Sequence, residues 1–196
     1  MRTVLLIVEL AVLLAAAGDA VIENDIKAAY QVGDRLALAA TTAPSGYTET
    51  RWYALVPKGW DAMKEFNAIN LSKLKDSDPR ATEALQKMRK LWDSAPVEPS
   101  LHGQRIRIPG FMVPLERKGD RLTEFLLVPY FGACIHTPPP PANQIIHVVV
   151  ADPIHAQSMD PVWVSGTMYV AHTDSPMGAS GYTMRAASVT PYVERR

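Results

Sequence analysis

The chain has 196 residues, 47% of them apolar and 20% charged, the composition of a folded globule rather than of a disordered chain. Twenty Lys and Arg balance twenty Asp and Glu, and no basic stripe or Arg/Lys cluster interrupts the balance, so nothing electrostatic points to nucleic acid as a partner. The length suits one well-buried domain and is short for two.

Residues 1–17 read as an export signal. Arg2 supplies a positive start, Val4 to Ala17 is largely apolar around an awkward Glu9, and Ala15-Ala16-Ala17 offers a small-x-small cleavage site. The apolar stretch falls short of the roughly 20 residues that cross a bilayer. The expected mature chain therefore has no transmembrane span and is periplasmic or secreted. No cysteine lies near the cleavage site, which excludes a lipid anchor. Residues 18–50 form a poorly defined extension with a short helix sketched over Ile26 to Ala40. Residues 51–196 are expected to form a single globular domain, with a helical part at 51–99 and a β-barrel part at 100–196.

In the helical part, Pro57-Lys58-Gly59 signals a turn, and a first helix is expected from Asp61 through Leu74. A second is better marked. Asp78 is a suitable N-cap, Pro79 fits the first helical position, and Ala81, Leu85, Met88 and Trp92 fall on one stripe that reads as core-facing. Pro96 and Pro99 end it. After Pro99 the period drops to two. Arg105 to Val113 alternates, with a bulge or bend expected at Pro109-Gly110, and Lys118-Gly119-Asp120 reads as a hairpin turn into Leu122 to Val128. Further strands are expected at Gln144–Val150, Pro161–Val170 with a bulge at Gly166, and Tyr182–Val193. The expected fold class is α+β: N-terminal helices followed by a small, partly closed antiparallel β-barrel of the oligonucleotide-binding type, a label of architecture rather than of ligand.

The chemistry concentrates between Tyr130 and His147. This stretch holds the only cysteine, Cys134, two of the five histidines, His136 and His147, and the run Pro138 to Pro141. If Phe131 to Thr137 is extended, Cys134 and His136 project from the same side of the strand and meet one cation. His147 on the next strand and Glu124 on the previous one are the candidate further donors. A Cys/His/His or Cys/His/Glu set suits zinc, or copper(I), better than magnesium or calcium. The plainer alternative is an inert buried thiol and a hydrogen-bonded histidine, with the prolines as a stiff connector or partner-docking rim. Cys134 paired with His136 or His147 as a hydrolytic nucleophile is the enzyme-class alternative, though no signature of such a family is visible.

Several stretches together resemble one bacterial envelope family, the domain of unknown function 3299. They are Asp76 to Ala81, Leu91 to Val97, Ile106 to Phe111, Glu124 through Ile146, and Trp163 to Thr167. The resemblance covers about Trp52 to Tyr192. It implies an exported or anchored protein, in some cases tied to transporters that supply metal, zinc in particular, and it brings no catalytic residues with it. The expected function is a non-catalytic, exported accessory protein that handles zinc beside an envelope transporter. The alternative is a barrel-type protein-interaction module in which Cys134 is buried and inert.

Overall fold

Apolar-rich segments separated by turn residues between Arg105 and Pro191 produce five long strands. The computed structural model, which describes residues 30–38, 43–61, 64 and 79–193, closes them into a ring. The two-residue strand β1 (Thr48–Glu49) precedes the helix α1 (Pro79–Asp93). The ring strands are β2 (Arg105–Lys118), β3 (Arg121–Val128), β4 (Ile146–Ile154), β5 (Pro161–Thr173) and β6 (Ser180–Pro191). Their spatial order is β1-β2-β3-β4-β6-β5, and an additional β2–β5 pairing joins the ends of the five long strands.

Closure depends on the length of β2. Its first half pairs with β5, from Arg105↔Thr167 to Phe111↔Pro161, and its second half pairs with β3, from Phe111↔Val128 to Lys118↔Arg121. One strand thus serves both edges, and the barrel is closed rather than partly closed. It is also not wholly antiparallel, since β4 runs parallel to β6 and β1 runs parallel to β2. The β2–β3 hairpin turns at Gly119-Asp120 as expected. The expected bend at Pro109-Gly110 is replaced by an uninterrupted register there, and the bulges of β2 fall beyond Pro114. The bulge at Gly166 is present, with the β5–β6 register shifting between Ser165 and Gly166. A Cβ at Gly166 would run into the Arg185 carbonyl oxygen and lie 2.8 Å from Met184 Cγ, so no larger residue fits.

Two cores result. Inside the barrel lie Ile108, Phe125, Leu127, Val148, Met168 and Tyr182, among others. Outside it, Phe111, Val113, Leu126, Val128, Ala133, Ile145 and Met159 form a second cluster, against which Tyr30, Leu36, Phe131, Cys134 and Met177 pack. Burial on both faces explains why Phe125 to Val128 is an unbroken apolar run rather than an alternation. Near the barrel mouth a 3-10 turn, Trp52–Leu55, inserts two side chains into the inner core. The Tyr182 hydroxyl donates to the Leu55 carbonyl at 2.6 Å and accepts from the Glu98 amide at 2.6 Å, so its one polar atom is satisfied where its ring is fully buried.

The expectation of several N-terminal helices is met only by α1 among the described residues. Among the described residues there is one α-helix, α1, the other described residues of 51–99 hold only 3-10 turns and irregular chain, and what is described is mostly β. The first expected helix, at Asp61 to Leu74, lies largely outside the described residues. The described part of Ile26 to Ala40 is a turn and a single bridge, Arg35↔Tyr130, not a helix. The stripe on α1 is not core either: Leu85 is 56% exposed and Ala84 is the buried residue of the helix.

Candidate binding rim around Cys134

The loop that follows β3 is curled, not extended. The Gly132 carbonyl accepts from the amides of Ile135, His136 and Thr137 at 3.3, 2.8 and 3.2 Å, and from the Thr137 hydroxyl at 3.3 Å. Four donors around one oxygen wind residues 132–137 into a tight turn. Cys134 sits in it at φ +64°, the left-handed region that non-glycine residues enter only when their surroundings hold them there. The extended segment expected from the sequence is replaced by this turn, and with it goes the argument that Cys134 and His136 share one strand face. His136 is exposed, whereas Cys134 packs on the outer core. Burial pushes the Cys134 thiol up to about 12, so it stays protonated at neutral pH.

The N-terminal segment holds this loop from above. Gly33 N donates to the Phe131 carbonyl and Phe131 N to the Asp34 carbonyl, both at 2.9 Å, while Tyr30 meets Phe111 edge-on at 5.2 Å. From below, the Gly132 amide donates to Met159 Sδ at 3.1 Å. Arg35 lies over the Tyr130 ring at 5.5 Å.

The other two predicted residues do meet. Leu126 pairs with His147 and Glu124 with Val149, which places the acid and the imidazole on the outward face of adjacent strands. His147 Nε2 lies 2.8 Å from Glu124 Oε2, with the side chains 13% and 36% exposed. The four candidate donors therefore divide into a joined pair, Glu124 with His147, and a separate loop carrying Cys134 and His136. No group of three or more His, Cys, Asp or Glu suited to one metal ion forms among the described residues.

Sequence reasoning missed the cleft beside Cys134. About 340 Å³ opens between Arg89 and Asp93 of α1, the turn residues Cys134 and Pro139, and the β5–β6 loop from Asp174 to Ala179. The run Asp174-Ser175-Pro176-Met177-Gly178 is legible as a turn. Its approach to α1, more than eighty residues earlier, is not.

A closed five-stranded barrel with a proline-walled rim and, among the described residues, one α-helix defines a mostly-β barrel protein. The chain belongs to the family described as "Protein of unknown function (DUF3299)", whose profile matches residues 52–191. A DUF3299 family protein from Pseudomonas aeruginosa PAO1, known from its crystal structure, is 36% identical with a TM-score of 0.59, the match covering 76% of this chain and 99% of that one. No curated protein matches. No helix among the described residues is long and apolar enough to cross a membrane.

Proposed function

We propose that this protein is a non-catalytic binding module of the bacterial envelope, exported by residues 1–17, whose recognition surface is the rim built from the Tyr130–Pro141 loop, α1 and the β5–β6 loop. The observation that carries this reading is the convergence of these three segments on the cleft beside Cys134 and Pro139. The ring order also supports it. Counted from β2, the strands run first, second, third, fifth, fourth and back to the first, the order of oligonucleotide-binding-type barrels, which use strand faces and loops to hold ligands. In this reading Cys134 is structural. A thiol held protonated provides little thiolate, which weighs against a nucleophile. The partner implied by the family resemblance is a component of an envelope transporter.

Zinc handling is the second reading, and one observation favours it. His147 and Glu124 form a two-donor site on an outward face, to which a partner or a further ligand would add the rest. Copper(I) is less suited to that pair, because it prefers sulfur.

A photo-crosslinking residue placed at Ile135, which is 39% exposed on the rim, tests the first reading in the native envelope. A discrete adduct from Ile135 and none from Asp152 on the far edge of β4 is expected. Equal or absent adducts from both positions overturn the reading. Elemental analysis of untagged protein tests the second: stoichiometric zinc lost in His147→Ala sustains it, and metal-free protein removes it.

A further inference from the structure

A second cleft of about 340 Å³ adjoins the first, walled on one side by α1 and on the other by Pro138, Pro139 and Pro140. The two share Arg89, Asp93 and Pro139, so they form one trough with a saddle between them. Leu85, Met88 and Trp92 line the second half, and they lie on the same helix face as Arg89 and Asp93 because they recur at three, four, seven and eight residues. Both walls are firm. Prolines fix their own backbone, and Pro139 is locked from behind by the β5–β6 loop, where a Cβ on Gly178 would lie 2.9 Å from Pro139 Cβ.

The two halves differ in chemistry. The half beside the prolines is apolar, and Leu85 leaves more than half of its surface in water although no requirement of the barrel core explains it. The half beside Cys134 carries the carboxylates of Asp93 and Asp174 against the single guanidinium of Arg89, an excess of one negative charge. Asp174 Oδ1 lies 3.1 Å from His172 Nε2, an exposed contact that leaves the carboxylate in reach of solvent.

We infer that the trough binds an extended peptide segment of a partner protein, seating a bulky apolar side chain between Leu85, Met88, Trp92 and the prolines and a Lys or Arg side chain against Asp93 and Asp174. This rests on the binding-module reading and adds the class of partner to it. The dimensions agree: Leu85 to Trp92 spans about 10 Å of helix, which about three residues of an extended chain would cover. An apolar anchor in a desolvated slot supplies affinity, and the adjacent charge sets direction and selects against acidic segments.

The test uses an array of short proline-framed synthetic peptides, each carrying one bulky apolar residue and one Arg a few residues apart. Matched peptides replace Arg by Glu or the apolar residue by Ser. Binding to the full chain is read by anisotropy, and the part of any tryptophan emission change that Trp92→Phe removes reports the site. Apolar–basic peptides are expected to bind at least about tenfold more tightly than either matched set. Leu85→Glu, at a position exposed in the fold, should abolish that binding with an unchanged circular dichroism spectrum. Asp93→Asn combined with Asp174→Asn leaves Arg89 uncompensated and should abolish or reverse the Arg-over-Glu preference while the apolar requirement stays. Equal binding of Arg and Glu peptides, no binding by any peptide, or binding that survives Leu85→Glu overturns the inference. Crosslinking from Ile135 separates the two failures: an adduct without peptide selection removes only the peptide class, whereas no adduct removes the binding module as well.

Discussion

The inner core and the outer core are made of similar residues yet are held differently. Inside the barrel, Phe125, Leu127 and most of their neighbours come from strands paired on both edges, so the ladders of the ring hold their backbone. The outer core shares strands β2 and β3, but its cover is a segment at Tyr30 to Leu36 and a turn at Cys134, each attached by a few hydrogen bonds. The lesson is that the ring supplies stability and the cover supplies surface. The rim cleft belongs to the cover, where a side chain can change at little cost to the fold.

The sharpest way to test that division is to truncate one side chain in each core. Phe125→Ala empties the middle of the barrel and should cost about 3–5 kcal/mol, read as a lower denaturant midpoint. Leu36→Ala, in the half-buried cover, should cost roughly 1 kcal/mol, because less area leaves water and the site can settle. Equal losses would mean that the cover is as integral as the ring. Next in size is Gly166→Ala. Its methyl group has no room against the Arg185 carbonyl, and overpacking there should cost about 1–3 kcal/mol while reopening the β5–β6 register at its bulge.

Much of the ring is legible in the sequence because its signals are local. Alternation in β2 and apolar segments between turn signals elsewhere locate all five strands, Gly119 and Asp120 mark the hairpin, and Gly166 marks the bulge. Closure is not legible, since it rests on Arg105 to Phe111 pairing with residues some fifty positions later, and periodicity carries no information about such partners. The same limit hides the parallel β4–β6 pairing. At the candidate site, Glu124 and His147 are expected on strands either side of the Cys134 segment, and the structure pairs those two strands directly and joins the side chains at 2.8 Å. Cys134 and His136 fail as a shared face because the alternation rule does not apply to residues that form no strand. Gly132 is the available clue: a glycine two residues before the cysteine invites a turn, and its carbonyl gathers the amides that make one. The helix stripe misleads for a related reason. Leu85, Met88 and Trp92 have helical spacing, but spacing states only that a face is apolar, not what covers it.

Alkaline pH divides the two cores more gently. Burial raises both Cys134 in the cover, from an ordinary 9.0 to about 12, and Tyr182 in the ring, from 10.0 to about 12. For each group the folded state keeps its proton over a range in which the unfolded chain has lost it. Stability from these groups is therefore complete below about pH 9 for Cys134 and pH 10 for Tyr182, and it drains away as pH rises toward 12. A Cys134→Ala variant should hold its stability until about pH 10 and then decline less steeply toward 12 than the wild type. Identical profiles from pH 9 to 12 would show that the thiol is not buried as described.

The smallest effect is expected at the residue whose type and placement in the sequence point most strongly to chemistry. Cys134→Gly removes the side chain but also removes the strain of φ +64°, a conformation that costs other residues about 1–2 kcal/mol and glycine almost nothing. Withdrawing the sulfur from the outer core acts in the opposite direction with similar size, so stability should change by less than about 1 kcal/mol. In the wild type, iodoacetamide at pH 8 should label Cys134 at least about tenfold more slowly than it labels the unfolded chain, because the attacking species is the thiolate. A near-neutral Cys134→Gly together with slow labelling is what a structural thiol gives. Rapid labelling, or a large loss of stability that bound zinc reverses in the wild type and cannot reverse in the variant, would return Cys134 to the role of metal ligand and make the rim a metal site.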